Sequence, residues 1–320
     1  MGAGVSAYDL LVVGRPSVDV MFSDLKQWPE LGNDIDAGAL GVCAGTSFNT
    51  PAAANRIGLR VAYVAEIGTD VWSGMVRAEF DTEGLPTEFL VQEDRPLPAV
   101  SVALNLHGDR GFVSHWGGED VADVLVSRAL DAIERFEIRH LHSHLDDLPQ
   151  VESAADSRGM TVSLDAFDGA SWASPRELDV LLRHADVLLA NEAEACAMTG
   201  EDDVERALTA LATHCPCVVI RRGAGGAIGI AGGAVATVPA DEVDVVDTTG
   251  AGDCFNAGFL AGWLGGLPLG SSLTLGVICG SRSVTDFGGY RGCPHEAEFR
   301  ELAAARGVAV PTPTYGEPVR

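Results

Sequence analysis

Two aspartates bracket a glycine-rich turn in the last third of the 320-residue chain, Asp247-Thr248-Thr249-Gly250-Ala251-Gly252-Asp253. The apolar residues Val243 to Val246, interrupted by Asp244, precede this turn and predict a short buried strand. Apolar side chains follow the turn at helical spacing, namely Phe255, Phe259, Leu260, Trp263 and Leu264. The turn should therefore lead from a strand into the N-terminus of a helix.

Such a turn has the chemistry of a phosphate site. Backbone N–H groups left unshielded at Gly250 and Gly252 form a concavity for anionic oxygens, and the helix dipole adds to the attraction. An acid at the mouth of this concavity, Asp253, would repel phosphates unless it accepted a proton from an attacking hydroxyl group. We interpret the turn as a site of phosphoryl transfer. The alternative is a tight turn with an aspartate in the first turn of a helix.

The turn, continued by residues 254–258, resembles the second signature of the ribokinase (PfkB-type) family of carbohydrate and nucleoside kinases. Residues 44–54 and 59–70 resemble the first signature, and residues 191–194 and 221–226 resemble the phosphate and nucleotide motifs. These stretches occur in the family's order and extend from Asp9 to about Arg300. The chain is therefore identified as a member of this family.

The remaining chain alternates predicted strands and helices. Apolar runs predict strands at residues 8–14, 61–67, 138–145, 161–165 and 187–190, with helical patterns behind them. Residues 32–45 are rich in glycine and indicate a strand-poor stretch that covers a site, and residues 100–107 and 111–116 indicate a hairpin. This alternation predicts an α/β fold with a parallel sheet and ligands at the carboxyl ends of its strands.

The resemblance implies a more specific architecture. It is the ribokinase-like three-layer sandwich, with a mostly parallel central sheet and a small β lid, built as one domain over residues 1–320. The lid is contributed by insertions near residues 15–45 and 95–118. In related kinases the lid closes over the sugar and excludes water, and the lids of two subunits pair into a homodimer.

The resemblance also assigns roles to single residues. Asp253 matches the catalytic base, and Gly250, Ala251 and Gly252 match the anion hole for the transferring phosphoryl group. Contacts to the acceptor fall on Asp19, Gly45, Thr46 and Asn49, where Thr46 replaces a lysine of ribokinases. Two alternatives remain open: Asp19 as a surface turn residue, and Asn49 as a helix cap.

Nucleotide and cation contacts follow from the same resemblance. Asn191 and Glu194 match the pair that holds the magnesium-water shell and the phosphates of ATP, with a polar turn opening a helix as the alternative. The triphosphate is expected beside Arg221, Gly223 and Gly226, although Arg221 occupies a position often held by threonine or lysine. A potassium site is expected from Asp247 and Thr249 with backbone carbonyls at Ser283, Asp286 and Gly288.

Three histidines stand where the family's acidic sugar contact is missing, in His140-Leu141-His142-Ser143-His144. Strand alternation places all three imidazoles on one face. Three interpretations remain open: structural histidines, a substrate contact from His144 at the carboxyl end of the strand, and a transition-metal site.

Composition limits the partners. A formal net charge of −25 argues against a nucleic-acid or anionic-membrane surface. Seven scattered cysteines favour free thiols in a reducing cytoplasm, and Cys215-Pro216-Cys217 lacks the second ligand pair of a zinc site. No signal peptide and no long uncharged apolar stretch is visible, and the first six residues fit an acylation pattern only loosely.

These observations predict an ATP-dependent kinase for a primary hydroxyl group of a small sugar or sugar derivative, working with magnesium. A nucleoside kinase is the first alternative, with a stacking face from Phe22, Phe112, Trp116 and Phe167. A sugar acid or phosphosugar acceptor would use Arg15 and Arg110 as cations. A non-catalytic sugar sensor is the alternative from another class, and the intact turn around Asp253 argues against it.

Overall fold

Two β-sheets of unequal size organise the molecule. The structure, a computed structural model, describes residues 7–97, 99–106, 109–117, 122–144, 148–166 and 177–312. Its strands are β1 (Ala7–Gly14), β2 (Pro16–Ser23), β3 (Ala39–Thr46), β4 (Val61–Ile67), β5 (Leu90–Gln92), β6 (Ala99–Leu106), β7 (Asp109–Trp116), β8 (Glu137–His144), β9 (Thr161–Asp165), β10 (Val187–Asn191), β11 (Cys217–Arg221), β12 (Ala227–Ala231) and β13 (Ala234–Val238).

Nine of these strands form the central sheet, in the order β13-β12-β11-β10-β9-β8-β1-β4-β5. All neighbours from β11 to β5 run parallel, whereas β12 and β13 are antiparallel. The chain moves outward from β1 in one direction and from β8 in the other, so the strand order reverses between these two strands. Ligands of open α/β sheets bind at such a switch point, outside the carboxyl ends of the strands.

Helices cover both faces of the central sheet. They are α1 (Asn49–Arg56), α2 (Val71–Glu83), α3 (Ala122–Arg135), α4 (Pro149–Ser157), α5 (Leu178–Leu181), α6 (Glu192–Thr199), α7 (Val204–Leu211), α8 (Ala251–Leu264), α9 (Leu269–Ser283) and α10 (Glu296–Ala305). One buried cluster joins the sheet to α1, α2, α8, α9 and α10, and the other joins it to α3, α4, α6 and α7. The two clusters make the molecule a three-layer sandwich. Within the described residues, no helix is long and apolar enough to cross a bilayer.

The smaller sheet, which we call the lid sheet, has the order β3-β2-β6-β7. Its strands come from the two segments in which lid insertions were expected, and β6 and β7 pair antiparallel as the expected hairpin. Because side chains alternate between faces, Asp19, Met21, Cys43 and Gly45 share one face, and Val20, Phe22, Leu40 and Val42 share the other. The first of these faces carries two of the predicted acceptor contacts, Asp19 and Gly45.

Two predictions about local structure were wrong. Residues 32–45 are not strand-poor throughout, because β3 begins at Ala39 and pairs with all of β2. β3 contains two glycines and is only partly buried, so its sequence lacks the apolar pattern by which strands are recognised. Residues 243–246 are not a buried strand, since Val245 and Val246 are 61% and 50% exposed. They are held to the structure through Val246, whose N–H donates to the carbonyl oxygen of Val284 at 2.7 Å.

Candidate active site

Three predicted site residues, His144, Asn191 and Arg221, and one that was not predicted, Asp165, lie at the carboxyl ends of neighbouring strands. His144 ends β8, Asp165 ends β9, Asn191 ends β10 and Arg221 ends β11. The parallel register pairs His144 with Asp165 and Asn191 with Arg221, so these side chains meet at one edge of the sheet. The turn that leads into α8 supplies Asp253 to the same place.

The turn before α8 is the predicted anion site, and the structure places it at the start of the helix as expected. Gly250 is the residue that caps α8, and its φ of 67° lies in the left-handed region that favours glycine. A Cβ atom on Gly250 would lie 2.8 Å from the Cα atom of Gly289 and 3.0 Å from Cγ of Asn49. The turn is therefore closely packed, and its first N–H groups have no partner within the helix.

Asp253 is fixed by a neighbouring helix. Asn49, which begins α1, donates from Nδ2 to Oδ2 of Asp253 at 2.9 Å. The Asn49 side chain is therefore not the cap of its own helix, which corrects that alternative. Its Oδ1 atom is buried without a hydrogen-bond partner among the described atoms. A buried acceptor of this kind costs free energy unless a ligand donates to it, so it indicates a place for a hydroxyl group beside Asp253.

The environment of Asp253 adjusts its proton affinity. Burial raises the pKa of Asp253 to about 6, and the charge of Asp165 adds to this effect. The hydrogen bond from Asn49 and the proximity of His144 and Arg221 act in the opposite direction. A carboxylate whose pKa lies near the working pH is suited to general-base catalysis.

Asp19 lies on the inner face of the lid sheet, not on a surface turn. It is 6% exposed and accepts a hydrogen bond from Oγ of Ser17 at 2.7 Å, and the same hydroxyl lies 2.7 Å from Oγ1 of Thr46. A Cβ atom on Gly45 would lie 1.9 Å from Oδ2 of Asp19. Burial raises the pKa of Asp19 to about 6. The structure thus brings together three of the predicted acceptor contacts, Asp19, Gly45 and Thr46.

Thr46 has a strained backbone at this point. Its φ of 52° is in the left-handed region, where a β-branched residue is rarely found. The residue ends β3 just before α1, so the strain lies where the lid sheet meets the helix that carries Asn49. Strain of this kind is concentrated at functional sites and must be offset by surrounding contacts.

Arg221 is held in a buried network. Its Nη1 and Nη2 atoms donate to the two carboxylate oxygens of Asp165, each at 2.9 Å. Nη1 also lies 2.8 Å from Oδ1 of Asn256 and 3.3 Å from the carbonyl oxygen of Gly252. Burial would raise the pKa of Asp165, but the charge and hydrogen bonds of Arg221 outweigh burial and lower it to about 2. The predicted contact of Arg221 with the triphosphate stays a prediction.

Two of the three strand histidines belong to the core. His140 lies 2.8 Å from Oγ1 of Thr161 through Nδ1 and 2.7 Å from Oγ of Ser163 through Nε2, and His142 lies 2.8 Å from the same serine. Burial lowers the pKa of His142 to about 4 and that of His140 well below its usual value, so both are neutral. The part of the chain that the structure describes contains no metal-binding group of three such side chains. His144 is half-buried beside Asp165 and Asp253.

Asn191 and Glu194 open α6 as a reciprocal cap. Oδ1 of Asn191 accepts from the N–H of Glu194 at 2.9 Å, and Oε2 of Glu194 accepts from the N–H of Asn191 at 2.7 Å. Glu194 also lies 3.6 Å from Nη2 of Arg221. Gly223 and Gly226 turn the chain between β11 and β12, with φ values of 53° and 83°. Asn191 with Glu194 and Gly223 with Gly226 therefore lie at the carboxyl ends of the strands, next to Arg221.

Asp247 joins the two segments of the predicted cation loop. Its Oδ1 atom accepts from the N–H and hydroxyl of Thr249 at 3.0 and 2.8 Å, and its Oδ2 atom accepts from the N–H of Gly288 at 3.2 Å. Oγ of Ser283 donates to the carbonyl oxygen of Gly280 at 2.9 Å, and the carboxylate of Asp286 accepts from the N–H of Phe287 at 2.7 Å. These hydrogen bonds of Asp247 bring the segment 247–249 next to the segment that contains Gly288. A cation site lined by backbone carbonyls requires this arrangement.

Sequence reasoning missed three residues of the site. Ser17 links Asp19 to Thr46, and Asp165 and Asn256 complete the network of Arg221. One signal for Asp165 was available, because this acid ends a short apolar run whose carboxyl end was expected to face the ligand. Nothing in the spacing indicated that Arg221 and Asn256, 35 residues apart, would share it.

Comparison with known proteins identifies the family. Residues 41–296 match the profile of the pfkB family carbohydrate kinase. The chain belongs to this family. Ribokinase of Bacillus subtilis is 26% identical over 314 residues, which cover 92% of this chain and 99% of the relative. The ATP-dependent ribose-1-phosphate kinase of Halopiger xanaduensis is 27% identical over 240 residues, which cover 74% of this chain and 78% of the relative.

The solved structure of a nucleoside kinase from Burkholderia thailandensis in complex with inosine has the same fold. It superposes with a TM-score of 0.79 over 95% of this pfkB-family chain and all of its own, at 19% identity. The ribokinase-like fold expected from the sequence is thus confirmed. The protein is a phosphotransferase of the sugar and nucleoside kinase type, which acts on a hydroxyl group of its acceptor.

Proposed function

We propose that the protein transfers a phosphoryl group from ATP to a primary hydroxyl group of a small sugar or sugar derivative, with Asp253 as the base. One observation carries this proposal. Asp253 stands in the first turn of α8, fixed by Asn49, while Oδ1 of Asn49 is buried and lacks a partner among the described atoms. One hydroxyl group of a sugar acceptor would donate to this amide oxygen, while the reacting hydroxyl group beside it donates to Asp253 and directs its oxygen towards the phosphoryl group at the anion hole.

The residues of the site divide the work. Asp253, ionised above its pKa of about 6, takes the proton of the acceptor hydroxyl group as its oxygen attacks phosphorus. The N–H groups of Gly250, Ala251 and Gly252 stabilise charge on the transferring group. Asp19 on the lid sheet accepts hydrogen bonds from further hydroxyl groups, and closing of the lid sheet would exclude water from the reaction.

ATP and cations would bind on the neighbouring strands. When bound, magnesium neutralises charge on the phosphates, and Asn191 and Glu194 suit it because magnesium keeps most of its waters. The turn with Gly223 and Gly226 lies at the same sheet edge and would contact the triphosphate. The oxygen donors around Asp247 and Thr249 suit potassium. Exchange of potassium for a bulky organic cation should then lower kcat more than it changes the KM of the acceptor, and equal rates in both salts would contradict the site.

The acceptor pocket differs from that of ribokinases. Thr46 replaces a lysine, and His144 stands near the place of a missing acid. Because a pocket built for one pattern of hydroxyl groups leaves its own polar atoms unsatisfied by another, ribose should be a poor substrate. If His144 donates to the acceptor, His144→Ala should weaken acceptor use by roughly 1 to 3 kcal/mol without changing ATP affinity. Unaltered kcat and KM in this variant would remove His144 from the pocket.

An anionic sugar is the second candidate acceptor. Arg15 and Arg95 both pair with the buried carboxylate of Glu66, which places two cations near the start of the lid sheet. The relative from Halopiger xanaduensis is named for ribose 1-phosphate. Arg110, the other cation expected to serve such an acceptor, has a side chain outside the described part of the structure.

A nucleoside acceptor would use fewer aromatic residues than expected. Phe112 is on the same face of the lid sheet as Asp19, as is Trp116. Phe22 points to the opposite face, which corrects its place in the predicted stacking surface. Phe167 lies outside the described residues. The named nucleoside kinase with the same fold supports keeping this candidate.

A panel of acceptors tests the proposal. Thermal unfolding is recorded with ribose, ribose 1-phosphate, hexoses, sugar acids and nucleosides, each with and without a non-hydrolysable ATP analogue, because a ligand of the native state raises the midpoint. Acceptors that raise it are then assayed for ADP release from ATP. Turnover with one class supports the proposal and names the class. Binding without any ADP release would instead favour the sugar-sensor alternative.

The proposal includes compartment and assembly. All seven cysteines are free thiols, which supports a reducing cytoplasm. The outer face of the lid sheet is apolar, with Leu40 and Val113 64% and 68% exposed, and this supports pairing of two lid sheets in a homodimer.

A further inference from the structure

Two largely buried arginines hold the two ends of α8. At its first turn, Arg221 contacts the carbonyl oxygen of Gly252 at 3.3 Å and pairs with Asp165. At its last residue, Arg139 donates to the carbonyl oxygen of Leu264 at 2.9 Å and pairs with Asp9. The two arginine side chains are almost equally buried, at 13% and 14% exposed. They differ in position, because α8 is about 20 Å long and only its first turn carries Asp253.

Arg221 determines the shape of that first turn. A Cβ atom on Gly252 would lie 3.1 Å from Nη1 of Arg221 and 3.2 Å from its Cζ atom, so the guanidinium lies directly against the middle of the anion hole. Asn256, one turn further on, is hydrogen-bonded to both Arg221 and Asp165. The ends of β9 and β11 are thereby joined to α8 through three side chains.

The same network sets the charge near Asp253. The ionisable groups that interact with this carboxylate come from four strands and its own helix: Tyr63 on β4, His144 on β8, Asp165 on β9, Arg221 on β11 and Cys254 on α8. Asp165 and Arg221 carry opposite full charges, and His144 adds to the positive side when protonated. Removal of one partner therefore leaves an unbalanced charge beside the base.

We infer that Arg221, Asp165 and Asn256 form a positioning unit that fixes the anion hole at Gly252 and balances the charge around Asp253. None of the three needs to touch the acceptor. Asp165 offers the rigid, bidentate partner that holds the planar guanidinium in place, and a lysine at position 221 would keep the charge without this geometry. This inference rests on the proposed function, because it concerns the efficiency and pH dependence of phosphoryl transfer.

The first test separates geometry from charge. In Arg221→Lys, kcat should fall roughly 10- to 100-fold through misplacement of the anion hole, while the KM of the acceptor and the acidic limb of the pH profile of kcat stay near wild type. The matched control is Arg139→Lys, which loosens the other end of α8. If Arg221→Lys and Arg139→Lys lose similar stability and similar kcat, the unit is only structural and the inference is wrong.

The second test measures how the charges of Asp165 and Arg221 change the pH dependence of kcat. In Asp165→Asn, Arg221 remains positive, so the acidic limb of kcat should move to lower pH by about 1 unit. In Asp165→Asn with Arg221→Met, both charges are gone, so the limb should return towards wild type while kcat stays low. An unmoved limb in Asp165→Asn contradicts the inference. If that single variant does not fold, wild-type kcat in the double variant contradicts it equally.

Failure of the proposed function is distinguished by the wild type. If the wild-type enzyme shows no acceptor-dependent ADP release, the proposed function fails. If the wild type releases ADP in a reaction that requires Asp253, but Arg221→Lys behaves like the control Arg139→Lys and Asp165→Asn leaves the acidic limb in place, the inference alone fails.

Discussion

At the scale of the single residue, Asp253 shows a conflict between stability and function. Its pKa of about 6 lies above the usual value of 3.8 because the folded protein removes water from the carboxylate and places Asp165 nearby. A raised pKa means that the folded state binds the proton more tightly than the unfolded state. Ionisation of Asp253 therefore costs folding free energy, and this cost is the condition for a base that is ready near neutral pH.

Replacement of this base should stabilise the protein. Below about pH 4 both states of the wild type are protonated at this position and Asp253→Asn should change little; the cost develops between the unfolded and folded pKa values and is complete above about pH 6. Near neutral pH the variant should be more stable by about 1 to 3 kcal/mol. Urea unfolding at acidic and neutral pH measures this difference. Equal stabilities at neutral pH would show that burial of the charge is not costly.

At the scale of the elements, β3 has a glycine at a position where any side chain would collide with a side chain of β2. Gly45 on β3 pairs with Ser17 on β2, two residues from Asp19, and a methyl group on Gly45 would overlap the Asp19 carboxylate. The strand pair thus fixes the position of the acid over the site. Gly74, in the exposed face of α2, lies away from this pair, and a Cβ atom added to it would have nothing within 4 Å.

Gly45→Ala should displace Asp19 and damage acceptor binding. We expect the KM of the acceptor to rise roughly tenfold or more, because a displaced acid loses its hydrogen bonds to the sugar, with nucleotide affinity unchanged. Gly74→Ala is the control and should leave kinetics unaltered while it stabilises α2 by about 0.5 to 1 kcal/mol. Steady-state kinetics and thermal unfolding of both variants measure these effects. A wild-type acceptor KM in Gly45→Ala would remove Asp19 from the pocket.

The sequence predicted elements whose signals are local and missed those that depend on distant partners. The apolar run of β4 and the spacing of α8 are sufficient in themselves, and both elements were predicted. β2 and β3 are stabilised by pairing with each other. β12 and β13 are likewise stabilised by antiparallel pairing at one side of the central sheet. The site shows the same division: Asp253 was indicated by its own turn, whereas Asp165 and Ser17 acquire a role only through residues distant in sequence or on another strand.

At the scale of the whole molecule, the lid sheet leaves part of an apolar face exposed. The register places Val20, Phe22, Leu40, Val102 and Val113 on the face opposite Asp19. Val20 packs against the core of the molecule, whereas Leu40 and Val113 are exposed, although apolar faces of sheets are normally packed. Pairing with the lid sheet of a second copy would cover them, and it stays a prediction of the family resemblance.

Disruption of this face should yield monomers. Val113→Asp places a charge on the proposed interface, and burial of an unpaired charge would outweigh the gain from association. Val235→Asp is the control, since Val235 is also an exposed strand valine, at 58%, but lies on β13. Sedimentation velocity should find dimers for the wild type and the control and monomers for Val113→Asp. A monomeric wild type, or a dimeric Val113→Asp, would contradict pairing through the lid sheet.

The central claim is that Asp253 removes the proton of the acceptor hydroxyl group during phosphoryl transfer. Its most direct test is acceptor-dependent ADP release by wild type and Asp253→Asn, with the acceptor found in the panel. The account predicts that kcat falls by about 10² to 10⁴ in the variant, while its thermal midpoint still rises with the nucleotide analogue. Turnover within a few fold of the wild type would contradict it.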